Sequence, residues 1–197
     1  MNVIQSNQID TQDAGEVIKG GRVIVAPFDT VYGFLCDPRN EKAILKIFDL
    51  KKRPTLKTIG LAVSDISELK KIAELSEKQE EFITDKTPGR YTFIVKAKKD
   101  AGLPGYCLQN GTIGVRIPDS ELILGLIKEA GGVIAQTSAN VSGMPNCYSI
   151  NDLNNQYDPI ELEKVDLIID SGKIEDSGAS EIIDLTGTEP KIIERSA

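Results

Sequence analysis

The chain has 197 residues, 40% of them hydrophobic and 27% charged, with a formal net charge of −7 and no histidine. This composition is that of a globular chain with a hydrophobic core, and at about 150 residues per domain the length predicts a single domain over 1–197. The missing histidine excludes Ser-His-Asp and Cys-His nucleophiles and histidine metal ligands, and the net acidity argues against a general nucleic-acid coat.

The first half of the chain predicts alternating helices and strands. An apolar, β-branched run at 22–26 predicts a buried strand that ends at Pro27. Asn40 is the predicted N-cap of a helix, which ends before Pro54 because proline disfavours helical backbone in the preceding residue. The other elements predicted before residue 90 are a helix at 13–19 closed by Gly20-Gly21, a strand at 59–63, helices at 67–72 and from Ser76 to about Lys86, and a turn at 87–89.

The second half continues the same mixture of helices and strands. Its predicted elements are strands at 91–95 and 112–117, a helix capped by Asp119 or Ser120 and ending at Gly131-Gly132, a strand at 133–136, a polar loop at 137–143, a helix near 151–157, and strands around Leu167, Ile182 and Ile192. This order predicts an α/β (α+β) fold with a mixed sheet flanked by helices.

Targeting and redox signals favour the cytoplasm. The three cysteines, at positions 36, 107 and 147, are far apart and form no CxxC pair, which argues against a zinc knuckle or a disulfide framework. The first residues lack the basic and apolar regions of a signal peptide. Since no apolar stretch approaches the ~20 residues of a membrane span, we expect no membrane association.

Nucleotide binding, if present, needs an unusual site, because the chain has neither a Walker A motif nor a GxGxxG after a strand. One candidate is Lys51-Lys52-Arg53-Pro54 at the end of the Asn40 helix. Its cations either stabilise the helix C-terminus, by ~0.3–1 kcal/mol each, or form a polyphosphate clamp that Lys57 could join. Taken alone, the first interpretation is favoured, since charge runs are usually solvated.

Three further segments combine small or charged side chains with strand ends. The polar loop at 137–143 is either an ordinary turn or a phosphate-binding loop. Asp29-Thr30-Val31-Tyr32-Gly33 follows the first strong strand, where Thr30 could simply satisfy turn backbone. Arg116 lies within an apolar strand; because arginine is rarely buried alone, it either reaches solvent or meets a carboxylate of the protein or of a ligand.

In combination, these segments are far more specific than any one of them. The chain from about Gly20 onward resembles the YrdC/TsaC family of threonylcarbamoyl-AMP synthases. The matching segments, in order, are Pro27-x-Asp29-Thr30-Val31-Tyr32-Gly33, Lys51-x-Arg53-Pro54, Pro88-Gly89-x-x-Thr92, Gly114-Val115-Arg116-Ile117-Pro118, Ser138-Ala139-Asn140-x-Ser142-Gly143, and two late strands at 166–172 and 180–184. From the chain length we expect no counterpart of the second domain of longer relatives.

The resemblance implies an enzyme with a twisted sheet around a concave basic cavity. It implies that L-threonine, bicarbonate and ATP, with Mg2+ expected beside ATP, give threonylcarbamoyl-AMP and pyrophosphate. Downstream proteins then transfer the threonylcarbamoyl group to the adenosine at position 37 of tRNA, so tRNA is an indirect partner. The oligomeric state is left open.

The resemblance also assigns roles to residues by position. It implies that Lys51 and Arg53 neutralise charge during the attack on the α-phosphorus. The implied ATP-binding residues are Lys51, Arg53, Lys57, Thr112, Ser138, Asn140 and Arg195. The implied threonine-binding residues are Thr30, Arg116 and Ser180.

Three positions depart from the family pattern: Phe28 replaces a common threonine, Ala62 a frequent histidine and Arg90 a common second proline. Tyr91-Thr92-Phe93-Ile94 after Pro88-Gly89 also resembles the related YciO branch, but that branch tends to lose the Ser-x-Asn element kept here. The alternatives are therefore a YciO-like paralogue, a structured-RNA-binding module and, less favoured, a nucleotide-dependent carbamoyl-transfer subunit of a larger enzyme.

Overall fold

The strands of the protein pair into one mixed sheet. The computed structural model describes residues 2–55, 57–176, 178 and 180–194, and in this part of the chain the sheet has eleven strands in the order β1-β9-β2-β3-β8-β4-β7-β6-β10-β11, with β5 paired to β6 outside this path. Parallel and antiparallel pairs both occur: β4 lies parallel to β7 and antiparallel to β8. The predicted mixed α/β fold is thus confirmed.

The elements have the following bounds. The strands are β1 Val3–Gln5, β2 Ile24–Pro27, β3 Tyr32–Cys36, β4 Gly60–Val63, β5 Ala73–Glu74, β6 Tyr91–Ala97, β7 Thr112–Arg116, β8 Val133–Ser138, β9 Leu167–Asp170, β10 Glu181–Asp184 and β11 Lys191–Ile193. The helices are α1 Thr11–Lys19, α2 Glu41–Leu50, α3 Ile66–Ile72, α4 Glu77–Lys86, α5 Glu121–Glu129, α6 Ile150–Gln156 and α7 Pro159–Leu162, and a 3-10 turn spans Gly105–Cys107.

Helices cover the two faces of the sheet unequally. One face packs against the apolar sides of α2, α3, α4, α6 and α7 in the larger hydrophobic core. The other face packs against α1 and α5 in a smaller core, which includes Ile24, Leu35 and Ile134 of three neighbouring strands. This smaller core reaches Ala62 of β4, and beyond it the same face carries the cavity described below.

Three predicted helix N-caps are confirmed. The Asn40 side chain accepts a hydrogen bond from the Ala43 amide at 3.1 Å, and Ser76 forms a reciprocal capping box with Gln79. Of the two residues considered for α5, Ser120 is the N-cap, because its hydroxyl accepts from the Ile123 amide at 3.4 Å. Such caps satisfy amide groups that the first turn of a helix leaves without partners.

One predicted loop was wrong in extent: β8 continues through Thr137 and Ser138, where the loop at 137–143 was predicted. Strand β3 was not predicted; it begins at Tyr32, in the segment where Thr30 was considered a turn residue. The pairing of these two strands, Gly33 with Ser138 and Phe34 with Thr137, extends both. Strands β1 and β5 and helix α7 were also not predicted. None of the helices in the described ranges has the length and apolar character required to cross a membrane.

Candidate active site

A cavity of about 320 Å³ opens on the sheet face that α1 and α5 leave uncovered. This volume lies in the ~300–1,000 Å³ range typical of small-molecule sites. The lining residues come from the ends of β2 to β4, β6 to β8 and β10 and from nearby loops: Phe28, Thr30, Val31, Gly33, Arg53, Thr58, Gly60, Thr92, Arg116, Gln136, Thr137, Ser138, Asn146, Ser180 and Ile182.

Small residues on the sheet face leave room for the cavity. Gly33 and Gly60 line it directly, and Gly114 of β7 shares the face of Arg116 because alternate strand residues point the same way. Among the described residues, a Cβ added at Gly114 would meet only the Thr92 methyl carbon, at 3.7 Å, so little of the described chain fills the space above this residue.

Lys51 lies at the C-terminal end of α2 and is almost completely buried. Its ammonium Nζ donates to the Ser138 carbonyl at 2.5 Å and to Asn140 at both the carbonyl, 2.8 Å, and Oδ1, 3.1 Å. Because an ammonium has three N–H donors, these three bonds use all of them. The Lys51 carbonyl in turn accepts from the Ser142 amide at 2.8 Å, so both ends of Lys51 hold the loop after β8.

The Ser138 hydroxyl donates to the same Asn140 Oδ1 at 2.6 Å, and Asn140 Nδ2 donates to the Met144 carbonyl at 2.6 Å. Burial, and then the nearby charge of Arg53, lower the pKa of Lys51 to about 7. The oxygen acceptors around Nζ favour the charged form and oppose this shift. A nearby anion would also favour the charged form.

Arg53 lies at the cavity wall, half-buried beside Phe48. Its Nη2 donates to the Thr58 carbonyl at 2.7 Å and its guanidinium carbon lies 5.9 Å from the centroid of the Phe48 ring. Burial lowers its pKa. Nε of Arg53 is buried without a hydrogen-bond partner among the described residues. Arg53 lines the cavity and its two Nη groups carry more N–H donors than the Thr58 bond uses, so they have donor capacity for an anion there.

Arg116, which lines the cavity, forms a buried ion pair with Asp29. Its Nη2 lies 2.6 Å and 2.7 Å from the two carboxylate oxygens of Asp29, and both side chains are only 5% exposed. Asp29 also accepts from the Asp119 amide at 3.2 Å, and the Arg116 guanidinium lies 5.5 Å from the Phe28 ring centroid. Of the partners considered for Arg116, the structure shows the protein carboxylate.

The remaining predicted threonine-binding residues lie in the same cavity. Thr30 is buried in the turn between β2 and β3, and Ser180 is buried just before β10. The Ser180 and Thr92 hydroxyls are 2.9 Å apart and share a hydrogen bond, which brings two hydroxyl groups to the cavity wall on the side away from Lys51.

Two of the predicted ATP-binding residues lie apart from this group. Lys57 is exposed in the loop after α2. Thr112 shares the cavity face of β7 but begins the strand that Arg116 ends, and its hydroxyl donates to the Gln109 carbonyl at 2.7 Å. Arg195 lies outside the described residues. The roles of all these residues stay predictions, as does the basic character of the cavity.

Sequence patterns missed Asp29 and Gln136 as site residues, although Asp29 belongs to a matched motif. The available signal for Asp29 was that Arg116, within an apolar strand, needs a carboxylate partner. Only the fold shows that this carboxylate belongs to Asp29. Gln136 follows an apolar run without any motif of its own, so only its register in β8 brings it to the cavity.

The residues that depart from the family pattern lie in different surroundings. Phe28 lines the cavity beneath Arg116, whereas Ala62 is buried in the smaller core. Arg90 lies in the turn before β6, where its carbonyl accepts from the Glu181 amide at 3.0 Å.

Oxygen donors around the cavity are mainly hydroxyls and carboxamides. In the described ranges, no group of three or more Asp, Glu, Cys or His side chains could hold a metal ion. The Asp29 carboxylate lies beside the cavity residue Arg116 and is already paired with it. Proteins usually hold Mg2+ through one or two carboxylates together with substrate phosphates and water. Since the described lining residues include no carboxylate, a magnesium ion here would depend mainly on substrate phosphates and water.

Comparisons with known proteins agree with this geometry. A family model described as "Telomere recombination", that of the Sua5/YciO/YrdC proteins, matches residues 16–196. A curated relative from Photobacterium profundum, named threonylcarbamoyl-AMP synthase, is 33% identical over 148 residues, which cover 74% of this chain and 80% of the relative.

Two solved structures share the fold at 27% identity. P. abyssi Sua5, in a crystal structure with L-threonine, superposes with a TM-score of 0.84 over 97% of this chain, which spans 56% of the Sua5 chain. The crystal structure of E. coli YciO superposes with a TM-score of 0.81 over 98% of this chain and 93% of YciO.

Proposed function

Because this chain belongs to the Sua5/YciO/YrdC family, we propose that it is an L-threonylcarbamoyladenylate synthase. The observation that carries the proposal is that one cavity joins two sets of residues. Arg53 and Ser138 line it on the side of Lys51, and Thr30, Arg116 and Ser180 line it on the other. A site that makes threonylcarbamoyl-AMP needs both a polyphosphate and an amino acid within reach of each other.

The proposed reaction joins three substrates. The threonine amine takes up the carbon of bicarbonate as a carbamate, with loss of water, and a carbamate oxygen then attacks the α-phosphorus of ATP. The bond from that phosphorus to the bridging oxygen breaks and pyrophosphate leaves with its electron pair. Since an anion attacks a polyanion, alignment and charge neutralisation are the main requirements, and a histidine base is not needed.

Arg53 supplies charge neutralisation in this proposal, since it lines the cavity and its two Nη groups carry more N–H donors than the Thr58 bond uses. Lys51 holds the segment from Ser138 to Asn140 in place, because oxygens of that segment accept hydrogen bonds from its three N–H donors. Magnesium enters with ATP and shields the phosphate charges when bound. Arg116 binds the threonine carboxylate beside Asp29, and Thr30 and Ser180 offer hydroxyls to the amino acid.

The product implies partners beyond the cavity. Threonylcarbamoyl-AMP is an activated acyl donor, so a separate transfer protein must carry its acyl group to tRNA position 37, and tRNA is an indirect partner. The cytoplasm is the proposed compartment, which suits three cysteines that are all buried free thiols.

Pyrophosphate release tests this proposal. The protein is incubated with ATP, bicarbonate and each amino acid in turn, and we expect release that depends on threonine. Arg53→Ala should abolish it. Arg39→Ala is the matched control, because Arg39 is an exposed arginine paired only loosely, at 3.9 Å, with Asp37. Equal release with every amino acid, or none, would overturn the proposal.

The alternatives predict different results. A YciO-like paralogue would bind nucleotide without threonine-dependent turnover, and the retained Lys51–Ser138–Asn140 hydrogen bonds favour the synthase over it. An RNA-binding module would bind structured RNA in a salt-sensitive manner in the absence of ATP turnover. The acidic net charge of −7 disfavours that alternative.

A further inference from the structure

Gln136 is a cavity residue to which no motif assigns a role. It lies on β8, two residues before Ser138, and pairs with Leu35 of β3 on one side and Gly60 of β4 on the other. Its side chain is half-buried and lines the cavity. Residues two apart on a strand share a face and lie ~6.5–7 Å apart, so one small ligand can contact both Gln136 and Ser138.

The carboxamide of Gln136 lies across the neighbouring strand. A Cβ built on Gly60 would come within 3.0 Å of Gln136 Nε2, closer than side chains normally pack. The absence of a side chain at Gly60 therefore creates the space in which the carboxamide sits. This position is on the cavity floor, one strand away from β7, which carries Arg116.

The hydrogen-bonding capacity of this carboxamide is not used within the described part of the protein. The side chains of Gln79 and Gln156, by contrast, each both donate and accept hydrogen bonds that fix loops or helix ends. Asn140, the nearby carboxamide, is likewise fully engaged. Gln136 thus presents one acceptor and two donors to whatever occupies the cavity.

The position of Gln136 between the two halves of the site identifies its ligand. On one side, Ser138 belongs to the loop that Lys51 organises, and on the other, Arg116 belongs to the proposed amino-acid side. In threonylcarbamoyl-AMP the group between the adenylate and the amino acid is the carbamate. Carbamate and bicarbonate both offer one hydrogen-bond donor next to a carbonyl oxygen, which a primary carboxamide complements with one accepted and one donated bond.

We propose that Gln136 binds the one-carbon unit of the reaction, first as bicarbonate and then as the carbamate of threonine. Nε2 donates to one oxygen, and Oε1 accepts from the bicarbonate hydroxyl or the carbamate N–H. The second carbamate oxygen stays free to attack the α-phosphorus. A neutral carboxamide suits this task, since a carboxylate in its place would repel the anion.

This inference rests on the proposed synthase function, and the test separates the two. Initial rates of pyrophosphate release are measured in bicarbonate-depleted buffer at varied bicarbonate, with saturating ATP and threonine. Gln136→Leu removes the donor and the acceptor at similar size, and Gln136→Glu adds a negative charge at the same size. Gln109→Leu, at an exposed position outside the cavity lining, is the matched control.

We expect both Gln136 variants to raise the KM for bicarbonate by about tenfold or more, the effect of losing a hydrogen bond to a charged group. The KM values for ATP and threonine and the melting temperature should stay near those of the wild type. An unchanged bicarbonate KM in an active enzyme, or an equal rise in all three KM values, would overturn the role of Gln136 alone. A wild type without threonine-dependent release would overturn the synthase function and this role together. If Gln136→Leu does not fold, the bicarbonate KM of Gln136→Glu tests the role of Gln136.

Discussion

The ammonium of Lys51 donates hydrogen bonds to two oxygens of Asn140, the carbonyl at 2.8 Å and Oδ1 at 3.1 Å. These residues are far apart in sequence, and the contact joins the end of α2 to the loop that follows β8. A cation predicted to clamp phosphate is therefore also the residue that holds a neighbouring loop in shape. Arg53, two residues on, lines the cavity, and its Nε has no hydrogen-bond partner among the described residues.

Lys51→Met should destabilise the protein even without nucleotide. The change leaves the Ser138 and Asn140 carbonyls without their ammonium donor, and an unsatisfied buried polar group costs ~1–3 kcal/mol. Lys52→Met is the control, because Lys52 is exposed and, within the described residues, its ion pair is with Glu161, so its loss should change the free energy of unfolding by less than about 1 kcal/mol. Urea unfolding measures both, and equal midpoints would contradict the loop-holding role.

Nucleotide binding should take up a proton and weaken as the pH rises. Burial lowers the pKa of Lys51 to about 7, so the free protein loses this charge as the pH rises through that value. Bound phosphates favour the ammonium and raise the pKa in the complex. Affinity should therefore fall between about pH 7.5 and about pH 9, where phosphate groups with a last pKa near ~6 are already ionised.

Calorimetry in buffers of different ionisation enthalpy measures that proton uptake directly. The Lys52→Met variant should keep the pH dependence, and Lys51→Met should lose it. A dissociation constant that stays flat over this range in the wild type, with no proton uptake, would show that Lys51 does not change its protonation when nucleotide binds.

Asp29→Ala should be strongly destabilising because it leaves the Arg116 charge buried without its ion-pair carboxylate. Both side chains of this pair are 5% exposed, and breaking a buried pair from one side costs ~3–5 kcal/mol. The matched control is Asp49→Ala: Asp49 pairs with Lys164 but is 65% exposed, so its removal should cost at most about 1 kcal/mol. Free energies of unfolding from urea titration provide the comparison, and similar losses for both would contradict the buried pair.

Signals that act over a few residues were sufficient to predict most elements. The Asn40 and Ser76 caps and the apolar run of β2 each specify a structure through neighbouring atoms, and the structure follows them. Strand β3 was missed because Asp29 to Gly33 contains good turn residues. Strand β3 pairs with β2 in a hairpin and with β8, about a hundred residues later in the chain, and this pairing on both sides gives it strand character despite the turn residues.

The site residues, too, divide into those that local motifs predicted and those that only long-range contacts show. Its motifs identified Arg53, Ser138, Thr30, Arg116 and Ser180, and these residues line one cavity. What the sequence did not predict are relations between distant segments, such as the Asp29 partner of Arg116 or the packing of the Gln136 carboxamide over a glycine. Such relations depend on strand order, which has no local signature.

Two glycine substitutions should separate stability from activity. Gly15 of α1 lies so close to α5 that an added Cβ would come within 2.9 Å of the Glu129 backbone carbonyl carbon and still closer to its Cβ. Gly15→Ala must therefore push the helices apart, and overpacking of this kind typically costs ~1–3 kcal/mol. Because α1 and α5 pack away from the cavity, the folded variant should keep the substrate KM values of the wild type.

Gly114→Ala should have the opposite effect: it should raise stability and weaken the use of threonine. An added methyl group would meet only the Thr92 methyl, at an ordinary 3.7 Å, and replacing a strand glycine removes conformational freedom from the unfolded chain, which stabilises by ~0.4–1 kcal/mol. The same methyl group projects from the sheet face that carries the cavity and takes up space beside Thr92 and Ser180, so the KM for threonine should rise. Melting curves and threonine-dependent pyrophosphate release, measured on both variants, test this contrast. A Gly114→Ala enzyme with unchanged threonine kinetics would mean that the substrate does not reach the floor of the cavity at β7.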